Sequence, residues 1–236
     1  MTSEKPAAPG LKESFVQEMQ RKILDGELLV GTRLPPERTL AEQTKVSRTV
    51  VNSGLAELAE QGFLEVRPRQ GTYVADYRRC GNLGTLAAIM RHSGAEPGRN
   101  EILSVLEVRR ALEHLSVEQA IRCASDEALE SLGVPLARMA AAPNAGAAAE
   151  AAFAFRQELA LIGGNCVVPL IYSSLKAPLV ALWERFCSLY GAFALVSNTE
   201  ILYSHLKSRD LDRAACWVDA YLERIISGSQ QIYEPC

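Results

Sequence analysis

Two short helical patterns with a basic hairpin behind them, then unbroken helical rhythm over residues 85–230, predict a mainly α protein. The expected architecture is an N-terminal winged helix-turn-helix followed by a C-terminal all-α helical bundle. At 236 residues and 48% hydrophobic content, the chain can fill two cores. The divisions expected are a disordered tail at 1–10, a winged helix-turn-helix at 11–76, a linker at 77–84 and a helical domain at 85–230.

The first half is justified element by element. Phe15, Val16, Met19 and Ile23 mark a helix at about 11–25. Pro35-Pro36 preset φ and suit the first turn of a second helix, which runs through Ala41 to about Thr44. Lys45-Val46 make the turn, and Ser47 is placed to cap a third helix. That helix turns Val51, Leu55 and Leu58 inward at i, i+4 and i+7. Gly62 stops it. Segments 63–66 and 72–75 then pair as strands around Pro68-Arg69-Gln70-Gly71. In such a layout the first turn of the third helix, here Ser47-Arg48-Thr49, meets base edges in the major groove. The hairpin is a wing whose Arg67 and Arg69 reach phosphate or minor groove.

This half resembles the GntR family of bacterial transcription regulators over about residues 12–76. The matching residues are Asp25-Gly26, Gly31-Thr32-Arg33-Leu34-Pro35-Pro36-Glu37-Arg38, Leu40-Ala41, Val46-Ser47-Arg48-Thr49 and Gly71-Thr72-Tyr73-Val74. The resemblance implies that Arg38, Ser47, Arg48, Thr49 and the wing from Arg69 through Gln70 to Gly71 contact a double-stranded DNA operator. Asn52 and Arg67 are counted with them. The family usually has Arg-Glu-Ala-Leu where this chain has Asn52-Ser53-Gly54-Leu55. That removes an arginine expected on DNA and puts a glycine inside the recognition helix, at a cost of about 1 kcal/mol against alanine.

Composition narrows the function further. Formal charge is −3 and the pI about 5.8, so the chain has no global basic field. DNA binding must rest on local charge at Arg38, Lys45, Arg48, Arg67 and Arg69, as in a sequence-specific reader. No apolar run reaches the eighteen or so residues of a membrane span, and the first ten residues carry no signal-peptide core. A cytoplasmic protein without a membrane partner is expected. The cysteines stand at 80, 123, 166, 187, 216 and 236. Those at 123, 166, 187 and 216 fall in helical apolar stretches and read as buried small hydrophobes, with a redox switch as the alternative. Three histidines and no nucleophile–base set or phosphate-cradling loop argue against an enzyme.

The second half reads as helices throughout. Arg78-Arg79 in the linker either touch phosphate or anchor the linker. Leu86, Ile89 and Met90 mark a short helix, and Ile102, Leu106, Arg109, Leu112 and Val117 a long one over 101–123. Ser125 caps the next, and an Ala-rich segment broken by Gly133 and Pro135 follows. Residues 143–146 are a loop, 147–162 a helix closed by Gly163-Gly164, and Asn165 caps a long helix that Pro178 should kink. Helices at about 192–207 and 210–227 complete six or seven around one core.

This part resembles the ligand-sensing domain of the FadR subfamily. The resemblance rests on Glu107 to Glu113, Phe155-Arg156-Gln157-Glu158-Leu159-Ala160 with Gly164-Asn165, and Asp210 with Ala214-Ala215. Most relatives hold a divalent metal there with an Asp, a His four residues on and two further His. The matching positions here are Ala152, Arg156, Thr199 and Tyr221, so no metal or other cofactor is expected. The acyl-CoA-responsive regulator that names the subfamily has Phe-Arg at the matching spot and lacks the metal. Its polar residues on the last helix do not recur, Glu223 and Ser227 standing nearby. The resemblance implies a homodimer with a metal-free pocket for a small anionic or acylated metabolite. Arg109, Arg156, Tyr172 and Tyr221 are its candidate ligands. For Arg156 the alternative is a salt bridge to Glu107 or Glu113, and for Arg109 a core-edge ion pair. Tyr172, Trp183 and Trp217 also read as core. The other reading of the whole is an effector-independent regulator whose bundle only dimerises.

Overall fold

The computed structural model describes residues 10–93 and 99–232. The expected tail at 1–10 lies outside them except for Gly10. The chain divides between His92 and Ser93 into two compact units.

In the first unit α1 spans Leu11–Leu24 and buries Phe15, Val16, Met19 and Ile23. The second helix, α2 (Glu37–Thr44), begins after Pro36, which sits at the N-cap rather than inside the first turn. Lys45 turns the chain with φ 56°. The third, α3 (Arg48–Glu60), is capped by Ser47, whose hydroxyl accepts the Val50 N–H at 3.3 Å. Gly62 takes φ +76° and ends it. The wing is β1 (Leu64–Arg67) paired antiparallel with β2 (Gly71–Val74), Leu64 opposite Val74 and Arg67 opposite Gly71. Leu34, Leu40, Val51, Leu55, Leu58, Phe63 and Val74 close one core with the α1 residues.

The region expected to be a linker is ordered. Asp76 caps a helical turn, α4 (Tyr77–Cys80), and α5 (Leu83–Ser93) follows. This last helix belongs to the first core, because Ala88 is buried in it and Ile89 packs against it. Asn82 ties the two together, donating to the Glu60 carbonyl at 2.8 Å while accepting the Gly84 N–H at 2.8 Å. His92 meets Asp25 at 2.9 Å. The division therefore falls eight residues beyond the linker placed at 77–84, for reasons of packing that no breaker residue announces.

The second unit contains α6 (Arg99–Cys123), α7 (Asp126–Ser131), α8 (Gly133–Ala140) and α9 (Ala145–Ile162). Then come α10 (Val168–Ser174), α11 (Lys176–Tyr190), α12 (Ala192–Lys207) and α13 (Leu211–Ile226). Its centre is α9, which packs on α6, α8, α10, α11 and α12. Ala148, Ala149, Ala151 and Ala152 let those neighbours approach closely. Asn144 accepts the Ala147 N–H and starts α9 two residues earlier than periodicity suggested. The expected kink at Pro178 is a break at Leu175 instead. Pro178 then occupies the first turn of α11, where its missing N–H costs nothing. Arg209 (φ 52°) reaches back to the end of α6, donating to the Ile121 and Ala124 carbonyls at 2.7 and 2.8 Å.

Two expectations need correction. Cys123, Cys166 and Cys216 are exposed, and only Cys187 of the four is buried. Cys123 ends α6, Cys166 lies in the loop before α10, and Cys216 points away from the Ala214–Val218 face of α13. Their apolar neighbours in sequence are not neighbours across the core.

Gly54 is not a defect in the recognition helix. A Cβ there would stand 2.8 Å from Phe15 Cε1 in a ring that is itself buried. The glycine lets α1 and α3 close on each other. Alanine at 54 gains about 1 kcal/mol of helix propensity but overpacks the contact, at about 1–3 kcal/mol. Urea unfolding of Gly54→Ala should therefore show a net loss of stability. A more stable variant would mean that Phe15 gives way freely.

Candidate functional site

The first candidate surface lies on the helix-turn-helix. Arg38, Ser47, Arg48, Thr49, Asn52, Arg67, Arg69, Gln70 and Gly71 are all exposed. Ser47 to Asn52 occupy the cap and opening turns of α3, while its apolar face turns inward at Val51. Asn52, Thr49 and Arg48 have no hydrogen-bond or ion-pair partner among the described residues. Arg38 pairs loosely with Glu42 at 3.4 Å, both side chains well exposed. On the wing Arg67 donates to Glu65 at 2.8 Å and lies 4.4 Å from the Tyr73 ring centroid. Arg69 takes φ 62° at the hairpin tip with no ion-pair partner among the described residues. Sequence reading passed over Arg33. It bridges to Tyr73, and its Nε sits 3.0 Å from where a Cβ on Gly71 would stand. The φ of +114° at Gly71 already demands glycine, so Arg33 joins the wing's basic face through that opening. Such a surface offers donors to phosphates and base edges alike.

The second candidate is buried in the bundle. Arg109 on α6 is 2% exposed, and Glu113 one turn on and Arg156 on α9 are 1% exposed. Arg109 Nε donates to Glu113 Oε2 at 3.1 Å and Arg156 Nε to Glu113 Oε1 at 3.3 Å. Arg156 Nη1 also donates to Thr199 Oγ1 on α12 at 3.0 Å, and the Thr199 hydroxyl donates in turn to the Leu195 carbonyl at 3.0 Å. The Trp183 ring of α11 lies beside both cations, its centroid 4.8 Å from Arg109 Cζ and 5.5 Å from Arg156 Cζ. Tyr221 of α13 lies 5.4 Å from Arg109 Cζ.

Of the alternatives for Arg156, the salt bridge is present, and its partner is Glu113, since Glu107 is exposed. Burial by itself pushes the Glu113 carboxyl up, but Arg109 and Arg156 overrule it and hold the group below its usual range. Burial opposes the charge on Arg109, and Glu113 with the two tyrosines outweighs it, so the guanidinium stays ionised. Burial also raises the Tyr172 phenol, Glu113 adding to it, so its proton stays on.

Four buried polar atoms of this cluster have no hydrogen-bond partner among the described residues: Arg109 Nη2, Tyr172 Oη, Trp183 Nε1 and Tyr221 Oη. All four candidate ligand residues are thus in one place, and Trp183 joins them. Nothing in the periodicity of α11 separates a core tryptophan from one with an unanswered N–H. Trp217, by contrast, donates to the Asn198 carbonyl at 3.1 Å.

The positions that match a metal site also gather here. Ala152 lies one turn before Arg156, Arg156 bonds Thr199, and Tyr221 faces Arg109. A methyl, a guanidinium, a hydroxyl and a phenol do not fit a divalent ion. No group of three His, Cys, Asp or Glu that could hold a metal occurs among the described residues.

Comparisons with known proteins place the chain in a family. The model for bacterial regulatory proteins of the gntR family matches residues 11–74, and that for the FCD domain matches 104–224. The chain belongs to the GntR family of bacterial transcription regulators and carries an FCD domain as its helical half. It is 29% identical over 221 residues to an HTH-type transcriptional regulator of Mycobacterium tuberculosis, covering 92% of this chain and 88% of that one. It is also 29% identical over 167 residues to the fatty acid metabolism regulator protein of Escherichia fergusonii, covering 71% and 67%. Among solved structures, the Listeria monocytogenes protein Lar superposes with a TM-score of 0.59 at 17% identity, over 94% of this chain and 97% of the other. A GntR regulator from Rhodococcus gives 0.51 at 16% identity, over 94% and 99%. These two share the fold. The relatives are regulators, not enzymes, and among the described residues no single helix is long and apolar enough to cross a membrane.

The buried triad has a consequence for stability. With its folded pKa held low, Glu113 stabilises the bundle fully above the unfolded carboxylate value of about 4.3 and loses that effect as pH falls through the folded pKa. Glu113→Gln should lose about 3–5 kcal/mol at neutral pH, the cost of leaving buried charge unpaired. Its stability should also fall less steeply below about pH 4 than the parent's. Denaturant melts at a series of pH values measure both, and an unchanged acid limb would show that other carboxylates dominate it.

Proposed function

We propose that this regulator binds a pseudo-palindromic duplex operator as a homodimer in the bacterial cytoplasm. A small acidic or acylated metabolite, held without metal in the helical domain, tunes its operator affinity. The observation that carries the effector reading is the buried cluster on six helices with four unanswered donors. Unpartnered buried polar groups are costly, and a ligand that accepts from them relieves the cost. A relative named for fatty acid metabolism supports an acidic or acylated ligand.

On the DNA side, Arg48, Thr49 and Asn52 are the readers, and Arg38, Arg67 and Arg69 with Gln70 and Gly71 position the head on phosphate and groove. Asparagine pairs two-pronged with the major-groove edge of adenine, where the family's usual arginine would favour guanine. Fluorescence anisotropy on an operator selected from random duplexes should show Arg48→Ala losing about 1–3 kcal/mol of affinity. Asn52→Ala should relax preference at one A·T pair of each half-site. Unchanged affinity and preference in both variants would remove α3 from the readout.

Glu113 answers both arginines internally, which favours the other reading, a bundle that only dimerises. Mass spectrometry of small molecules released from the purified protein separates the two. A released metabolite that shifts operator affinity is expected. No released molecule, with operator affinity indifferent to acidic and acylated metabolites alike, leaves the dimerising bundle.

A further inference from the structure

The outward face of the wing carries arginines in two different conditions. Residues 31–34 run beside β2. The Gly31 N–H donates to the Val74 carbonyl at 2.8 Å, the Val74 N–H to the Thr32 carbonyl at 2.9 Å and the Leu34 N–H to the Thr72 carbonyl at 2.8 Å. Leu34 is buried, so by alternation Arg33 stands on the opposite, outward side. There it is the cross-strand neighbour of Tyr73, which is in turn the neighbour of Glu65. Arg67, opposite Gly71, lies two residues along β1 on the same side. The Arg33 guanidinium reaches the turn of the hairpin. Its Nε, Nη2 and Cζ lie 3.0, 3.4 and 3.6 Å from where a Cβ on Gly71 would stand.

What holds these side chains differs. Arg67 donates to Glu65 at 2.8 Å and lies over the Tyr73 ring. The Arg33 side chain is exposed and has no hydrogen-bond or ion-pair partner among the described residues, and the same is true of Arg69 at the tip. The backbone of Arg33 is fixed by the bonds to β2 on either side of it. Pro35-Pro36 then stiffen the short path to α2, whose first turn carries Arg38.

We propose that Arg33 is a phosphate-anchoring residue of the operator complex, and that Glu65 offsets Arg67, so that Arg33 and Arg69 carry most of the wing's electrostatic contact. This rests on the operator reading proposed above and adds to it a residue that the motif did not single out. An unpartnered guanidinium neutralises a phosphate and releases its counterion without breaking an internal pair. Arg67 exchanges a carboxylate for a phosphate, one anion for another, so its net release is small. A phosphate is the partner rather than a base edge, because Arg33 stands on the wing and not on α3, whose first turn meets the bases. With the backbone already fixed, docking orders only the side chain.

The test uses the full-length protein and fluorescence anisotropy on two duplexes of equal length, the operator selected from random sequences and an unrelated one. Affinity is measured from about 50 to 200 mM salt, over which its logarithm falls linearly with the logarithm of salt concentration. Arg33→Gln should make that slope shallower by about one on both duplexes and leave the preference between them unchanged. Arg33→Lys keeps the charge and should keep the parent's slope. Arg67→Gln should change the slope by less than half as much, and Glu65→Gln, by freeing Arg67, should steepen it by about one. Arg33→Gln with the parent's slope overturns the anchoring role, and a lower melting temperature in that variant would then assign the side chain to the fold. A loss confined to particular operator base pairs overturns it as well, making Arg33 a groove reader. Glu65→Gln without effect, beside Arg67→Gln as shallow as Arg33→Gln, overturns the role given to Glu65. A parent protein that binds neither duplex takes the operator reading down too, whereas the other outcomes leave that reading standing.

Discussion

The helical half depends on one arrangement, a glutamate held between two arginines at the centre of the bundle. Glu113 alone at that depth would be protonated, and either arginine alone would not be tolerated. Together they bind α6 to α9, and Thr199 extends the network to α12. The geometry satisfies most of what it encloses, which is the condition under which buried charge is compatible with a stable core. It leaves one positive charge and four donors over.

The DNA-binding half is built on the opposite principle. Its core is apolar, and its charges stand outside, several of them without internal partners. Phe15 against Gly54 shows how closely α1 and α3 are set, and polar contacts add to that hold, Lys12 of α1 meeting Glu57 of α3 at 2.8 Å and Gln20 donating to Gln61 at 2.6 Å. A rigid platform with free side chains on its outer face suits recognition. Base contacts then need no internal bond to be broken first, and little side-chain rearrangement precedes docking.

At the positions that the family resemblance matches to metal ligands, this chain brings together a guanidinium, a hydroxyl and a phenol. A metal recruits anions through a cation held by carboxylate and imidazole, whereas here the cation is part of the chain.

Local features of the sequence determined the winged helix-turn-helix almost residue by residue. Pro35-Pro36, Ser47, Gly62 and Gly71 act within a few residues of themselves, and short-range stereochemistry is legible in one dimension. The helices of the second half were legible through their apolar rhythm and the cap at Ser125, whereas the caps at Asn144 and Asp210 were not singled out. The tertiary structure decided what depends on distant partners. Gly54 looked like a defect until Phe15 was placed against it. Residues 77–93 looked in part like a linker until Asn82 and Ala88 were seen to belong to the head. Cys123 and Cys216 looked buried until the core side of their helices was known. Periodicity ranks residues by face, but it does not tell which face meets a neighbour or which neighbour supplies a charge. That Arg109, Glu113, Arg156, Tyr172, Trp183 and Tyr221 come together follows from the packing of the helices that carry them, and only that packing leaves four of their donors without a partner among the described residues.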